Sequence, residues 1–157
     1  ASRKVREALR AGEPAAAAAA LGHWWEIAGR VRRGSARGHG LGYPTANLSL
    51  RGLLQPKFGI YAVHIRIAGD PEWRPGIASL GIRPMFEGSD PILEAHLFDF
   101  DGNLYGCPVC VALVAYLRPE ETFESLDTLR AAMNEDVATA RTLLASFDAA
   151  PDRFTAA

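Results

Sequence analysis

The chain has 157 residues, 48% of them hydrophobic and 22% charged, the make-up of one soluble globular domain able to bury a real core. No apolar run approaches a membrane span and no signal-peptide pattern opens the chain, so the expectation is a cytoplasmic protein with no membrane partner. A net charge of −1 argues against a general nucleic-acid binder, although residues 1–57 carry ten Lys/Arg against three Asp/Glu and the remainder seven against fifteen.

Residues 1–22 read as a helical lead-in. Ser2 can cap a first helix whose Val5, Ala8 and Leu9 share a face. Pro14 suits the first turn of a second helix, which runs through six alanines and Leu21 to a stop at Gly22. Residues 24–31 turn strand-like, with aromatic and β-branched side chains. Then comes a glycine-rich stretch, Gly34-Ser35-Ala36-Arg37-Gly38-His39-Gly40-Leu41-Gly42, followed at once by Tyr43-Pro44-Thr45-Ala46-Asn47. Glycines let backbone N–H groups converge on an anion, and Arg37 could add charge, so the loop is a candidate phosphate cradle. It is not a Walker loop, because no Gly-Lys-Ser/Thr follows. A plain surface loop is the alternative reading of a glycine cluster. Pro44 stiffens the exit, and in an extended segment Thr45 and Asn47 point the same way. Their two neutral hard oxygens suit a magnesium ion that carries phosphates.

Further strand-type runs fall at 59–67, 76–80, 92–100 and 108–117, punctuated by Gly, Pro and Asp. Short strands at this spacing with no helices between them predict a mainly β domain, an antiparallel sheet closed into a barrel. Within the apolar stretch 91–100, Glu94 is a lone carboxylate, costly there unless used or paired. A glutamate on an edge strand facing water is the alternative. Asp99-Phe100-Asp101-Gly102 lacks the further acidic ligands of a calcium loop and reads as a hairpin turn. Cys107 and Cys110 form a C-x-x-C in a β-branched run without further metal ligands nearby, so both read as ordinary buried or half-buried thiols. Residues 125–147 read as one helix, with Leu126, Leu129, Met133, Val137, Ala140, Leu144 and Phe147 on one stripe that seals the barrel; a partner-binding face is the alternative. Residues 149–157 read as a tail.

Several of these segments together resemble the riboflavin kinase family. They are Gly29-Arg30-Val31 with the glycine-rich stretch, Leu41 through Asn47, Gly59-Ile60-Tyr61-Ala62-Val63, Gly81-Ile82-Arg83-Pro84, Leu93 through Phe100 with Leu104-Tyr105-Gly106, and Leu117-Arg118-Pro119-Glu120 with Phe123-Glu124-Ser125-Leu126. The resemblance implies a small Greek-key barrel over residues 23–148 and an ATP-dependent kinase that makes FMN and ADP from riboflavin and ATP, with Mg²⁺. It implies that Glu94 is the catalytic base and that Thr45 and Asn47 bind Mg²⁺. It also implies that Gly34, Arg37, Gly38, Gly40, Gly42, Thr45, Leu97, Asp99 and Tyr105 line the ATP side, Leu97 and Asp99 through backbone groups. Arg118 and Phe123 match the flavin side. Residues 1–6 resemble, with departures at Ala1 and Arg3, the closing motif of the FMN adenylyltransferase domain that precedes riboflavin kinase in bacterial bifunctional enzymes. The expected partner is therefore such an N-terminal domain in a longer chain, with 1–22 as its remnant. Leu80 and Met85 replace a common asparagine and threonine, and Glu121-Thr122 stand where relatives often carry lysine. The departures at Leu80 and Met85 keep a second reading open, a flavin- or nucleotide-binding module without catalysis. A basic barrel that binds single-stranded nucleic acid through Arg30, Arg32, Arg33 and Arg37 is disfavoured by the overall charge.

Overall fold

The computed structural model describes residues 2–32, 44–82 and 90–146. Two short helices lead in. Helix α1 (Arg3–Arg10) starts where the Ser2 hydroxyl accepts the Val5 N–H at 3.3 Å. Helix α2 (Pro14–Leu21) opens with proline at its first turn and ends at Gly22, whose φ of 86° is the left-handed conformation that a glycine stop supplies. Val5, Leu9 and Ala17 pack together as a small separate cluster against Trp25 and Leu54.

Six strands follow: β1 (Glu26–Arg30), β2 (Thr45–Ser49), β3 (Gly59–Ile67), β4 (Trp73–Ile82), β5 (Pro91–Leu97) and β6 (Pro108–Arg118). They form one antiparallel sheet in the order β1-β6-β3-β4-β5-β2. The Arg32 N–H donates to the Asn47 carbonyl at 2.8 Å, which draws the two ends of the sheet together into a nearly closed barrel. Strands β3, β4 and β5 form a meander, and β6 returns to lie beside β3, a Greek-key arrangement. The expected hairpin at Asp99–Gly102 is therefore not one. Strand β5 pairs with β4 and β2, and β6 pairs with β3 and β1, so residues 98–107 are the return connection. Asp-Gly chemistry signals a chain reversal, and Asp99 does take a φ of 54°, but it does not choose the partner strand.

Alternation along the strands sorts the side chains. Ala46 and Leu48, Ala78 and Leu80, and Leu93, Ala95 and Leu97 point into the barrel with Val63, Ile65, Val111 and Leu113. The outer face of β3, β4 and β6 is covered by helix α3 (Leu126–Leu144), whose Met133, Val137, Ala140 and Leu144 pack on Ala62, Ile77, Ala112 and Val114. The Ser125–Thr128 capping box fixes the start of α3. Leu126 is 66% exposed, so the sealing stripe begins at Leu129. Phe147, the expected last member, and the tail 149–157 lie outside the described residues.

The outer face of β5 and β2, continued by Ser79 on β4, carries polar side chains instead. Its geometry rests on close backbone contact at Gly76, where a Cβ would stand 2.5 Å from the His96 carbonyl oxygen and 2.8 Å from Ile65 Cδ1. Gly76→Ala should force β5 away from β4 and destabilise the protein by about 1–3 kcal/mol, the usual cost of overpacking. Urea unfolding checks this; a variant as stable as the parent would show that the two strands can part without loss.

Candidate active site

The site builds from strand register. Thr45 lies opposite His96 and Asn47 opposite Glu94 on β2 and β5, while Ser79 on β4 lies on the other side of Glu94. Because Ala46, Leu48, Leu93, Ala95, Ala78 and Leu80 face inward, Thr45, Asn47, Glu94, His96 and Ser79 share the outer face. The row Asn47–Glu94–Ser79 continues through Ile60 on β3 to Arg118 on β6. Directly opposed residues have Cβ atoms about 4.5–5.5 Å apart, so the proposed base and a proposed metal ligand are neighbours.

Glu94 is not on an edge strand, since β5 lies between β4 and β2. Its side chain is 12% exposed, and one carboxylate oxygen, Oε1, stands 3.3 Å from His96 Nε2. The other ring nitrogen of His96, Nδ1, is 3.3 Å from Thr45 Oγ1. The lone carboxylate of the sequence thus has a partner, and a buried histidine links it to Thr45. Period-two alternation from Glu94 puts His96 on the same face, a signal that was available in the sequence. Asn47 is 7% exposed, and its side-chain amide makes no hydrogen bond among the described residues.

Of the candidate ATP-side residues, Leu97 ends β5 and Asp99 follows it, while Tyr105 lies further along the connection to β6, next to Gly106, whose N–H donates to the Val31 carbonyl. The Leu97 N–H donates to the Pro44 carbonyl at 3.2 Å, which sets this end beside the start of β2. The Leu97 side chain is buried in the barrel core, so only its backbone could meet a ligand. Asp99 is held by Arg141 of α3 in a two-pronged ion pair of 2.8 and 3.0 Å, and the Arg141 guanidinium lies 4.7 Å from the Phe98 ring centroid. Tyr105 is 54% exposed, and its N–H donates to the Asn103 side chain at 2.9 Å. Gly34, Arg37, Gly38, Gly40 and Gly42, like Met85, lie outside the described residues.

Hydrogen bonds from Arg141 hold the Asp99 carboxyl below its ordinary value of 3.8. A carboxyl depressed in the folded state contributes stability above its unfolded pKa, and that contribution is lost as pH falls through the lower folded value. The stability gap between parent and Asp99→Asn should therefore be constant near neutrality and shrink as pH drops from about 4 downward. Thermal unfolding from pH 7 to pH 2 checks this; a gap that widens with acid would contradict it.

At the other end of the row, Arg118 is committed to Asp136 of α3, with Nε 3.0 Å from Oδ1 and Nη2 2.7 Å from Oδ2. That hydrogen-bonded carboxylate raises the Arg118 pKa above its ordinary value. Phe123 is half-buried, with its ring centroid 5.8 Å from the guanidinium. Glu120, which the sequence did not single out, accepts a hydrogen bond from the Ser79 hydroxyl and so ties the segment after β6 to the row beside Glu94.

The flavokinase family model, riboflavin kinase, matches residues 21–144. The chain belongs to the riboflavin kinase family. A bifunctional riboflavin kinase/FMN adenylyltransferase from Pseudomonas fluorescens is 43% identical over 145 residues, covering 92% of this chain and 46% of that protein. The protein of the same description from Escherichia coli K12 is 41% identical over 140 residues, covering 89% and 44%. The chain thus spans less than half the length of these relatives. Among solved structures, one from Streptococcus pneumoniae, described as a macrolide-efflux protein, superposes with a TM-score of 0.80 at 32% identity, over 90% of this chain and 46% of that one. Riboflavin kinase from Trypanosoma brucei superposes with a TM-score of 0.55 at 23% identity, over 78% and 81%, which bears on the fold alone. No helix among the described residues is long and apolar enough to cross a membrane. Riboflavin kinases use ATP and a divalent metal.

Proposed function

We propose that this chain transfers the γ-phosphoryl group of ATP to the ribityl 5′-hydroxyl of riboflavin, giving FMN and ADP. The observation that carries the reading is the cross-strand pair Asn47–Glu94, with candidate nucleotide-side residues at one end of its strands and candidate flavin-side residues along its row. In this reading the Glu94 carboxylate takes the hydroxyl proton. The hydroxyl oxygen bonds to the γ-phosphorus as the bond from that phosphorus to the ADP oxygen breaks. By strand spacing, Arg118 lies about 14 Å along the sheet from Glu94, a span for the ribityl chain and the flavin ring. Arg118 and Phe123 then border the ring, while Leu97 through its backbone, Asp99 and Tyr105 border the nucleotide.

Thr45 and Asn47 would hold the divalent ion, with Mg²⁺ the expected one. No group of three or more His, Cys, Asp or Glu able to hold a metal occurs among the described residues. Two neutral oxygens fit an ion that arrives on nucleotide phosphates and keeps most of its ligands from them and from water. When bound, it neutralises phosphate charge. A His96 tautomer with its proton on Nε2, toward Glu94, would accept a hydrogen bond from the Thr45 hydroxyl at Nδ1 and so orient that hydroxyl. The glycine-rich stretch 34–42 is proposed as the phosphate cradle on its sequence. We also place residues 1–22 as the remnant of a preceding FMN adenylyltransferase domain, 23–148 as the kinase domain and 149–157 as a tail, in a cytoplasmic protein without a nucleic-acid partner.

The test is incubation of the purified chain with riboflavin, ATP and magnesium chloride, with FMN read by chromatography. FMN that forms only when all three are present supports the reading. A folded chain that makes no FMN with any divalent ion would overturn it in favour of a non-catalytic binding module.

A further inference from the structure

The stripe of α3 that seals the barrel needs no charge, yet Asp136 sits among Met133, Val137 and Ala140 with its side chain only 9% exposed. A carboxylate is retained in such a place only when it is paired. Its partner is Arg118 at the end of β6, gripped through Nε and Nη2 so that the plane of the guanidinium is fixed. Fixing that plane has consequences along the chain. Arg118 Nη1 donates to the Pro119 carbonyl at 3.0 Å, Glu121 Oε1 stands 3.8 Å from the same nitrogen, and the Phe123 ring lies under the guanidinium. Three of the five guanidinium N–H groups are thereby committed within the protein. Glu120, two residues beyond Arg118, accepts a hydrogen bond from the Ser79 hydroxyl, and Ser79 flanks Glu94.

We propose that Asp136 is a positioning residue for riboflavin: through Arg118 it sets the course of residues 118–123 and so shapes the flavin subsite from the barrel-facing side of the helix. The proposal rests on the reading that places the flavin along this segment. Arg118 then serves the flavin by holding the segment, more than as a free cation. Asp136 touches no substrate and acts only through Arg118.

The experiment measures riboflavin affinity by flavin fluorescence, ADP affinity by calorimetry, and kcat and KM, on the full chain and on Asp136→Asn, Arg118→Lys and Phe123→Ala. Asp136→Asn should weaken riboflavin binding and raise its KM by about 10- to 100-fold, the scale of one charge-assisted hydrogen bond. ADP affinity, and kcat at saturating riboflavin, should stay within a few-fold of the parent. Arg118→Lys keeps the charge but cannot hold both Asp136 oxygens and the Pro119 carbonyl, so it should show the same split, and it decides the matter where Asp136→Asn does not fold. Unchanged riboflavin affinity in the folded variants, with Phe123→Ala weakened, overturns the positioning role and leaves the flavin placement standing. Unchanged affinity in Phe123→Ala overturns the placement itself, and the proposal with it.

Discussion

Glu94→Gln should lower turnover by about 10²- to 10⁴-fold, or roughly 3–5 kcal/mol in the barrier, with both substrates still bound. Glutamine keeps the size of the side chain and its contact with His96 but cannot take a proton. A hydroxyl is a weak nucleophile until its proton has somewhere to go, and Glu94 is the carboxylate that stands between Asn47 and Ser79 on the outer face. Because the missing function is needed only as the transition state is approached, the loss belongs in kcat and leaves riboflavin and ADP affinities nearly unchanged. Steady-state kinetics with separate binding titrations check this. A folded Glu94→Gln chain that works within a few-fold of the parent would remove Glu94 from the role.

Asn47→Ala should cost about 10- to 100-fold in metal–nucleotide affinity and in activity, the usual scale for losing one group of a metal site. Its amide is held on the outer face by the β2–β5 ladder and by the bridge from Arg32, both of which use backbone atoms. The substitution therefore removes the ligand without removing the strand. Titration of magnesium into the ADP-bound protein reads the effect, and riboflavin affinity in the absence of nucleotide should not move. Loss of riboflavin binding with metal–ADP binding intact would mean that Asn47 belongs to the flavin.

What the sequence displays is the local part of this site. Period-two alternation reports that Thr45 and Asn47 share a face, and the apolar run around Glu94 marks its carboxylate as unusual. Both readings rest on neighbours in the chain. The contacts on the proposed flavin side do not: Ser79–Glu120 and Arg118–Asp136 span 41 and 18 positions, and only the closed barrel and the docked helix bring them together. The same limit explains the return connection at 98–107, where turn residues were legible but the partner of β6 was not. Leu126 matched the helical stripe by spacing alone, while burial depends on how far the barrel extends beneath it.

The assignment of phosphoryl transfer to the outer face of β2, β5 and β4 meets its sharpest test in a chemical-shift map. Backbone amides of an isotope-labelled chain would be followed as magnesium–ADP and then riboflavin are added. Magnesium–ADP should perturb Thr45, Asn47 and residues 96–99 first. Riboflavin should then perturb Glu94, Ser79 and residues 118–123. Perturbations confined to α1, α2 and β1, with the Asn47–Glu94–Ser79 row silent, would contradict the assignment.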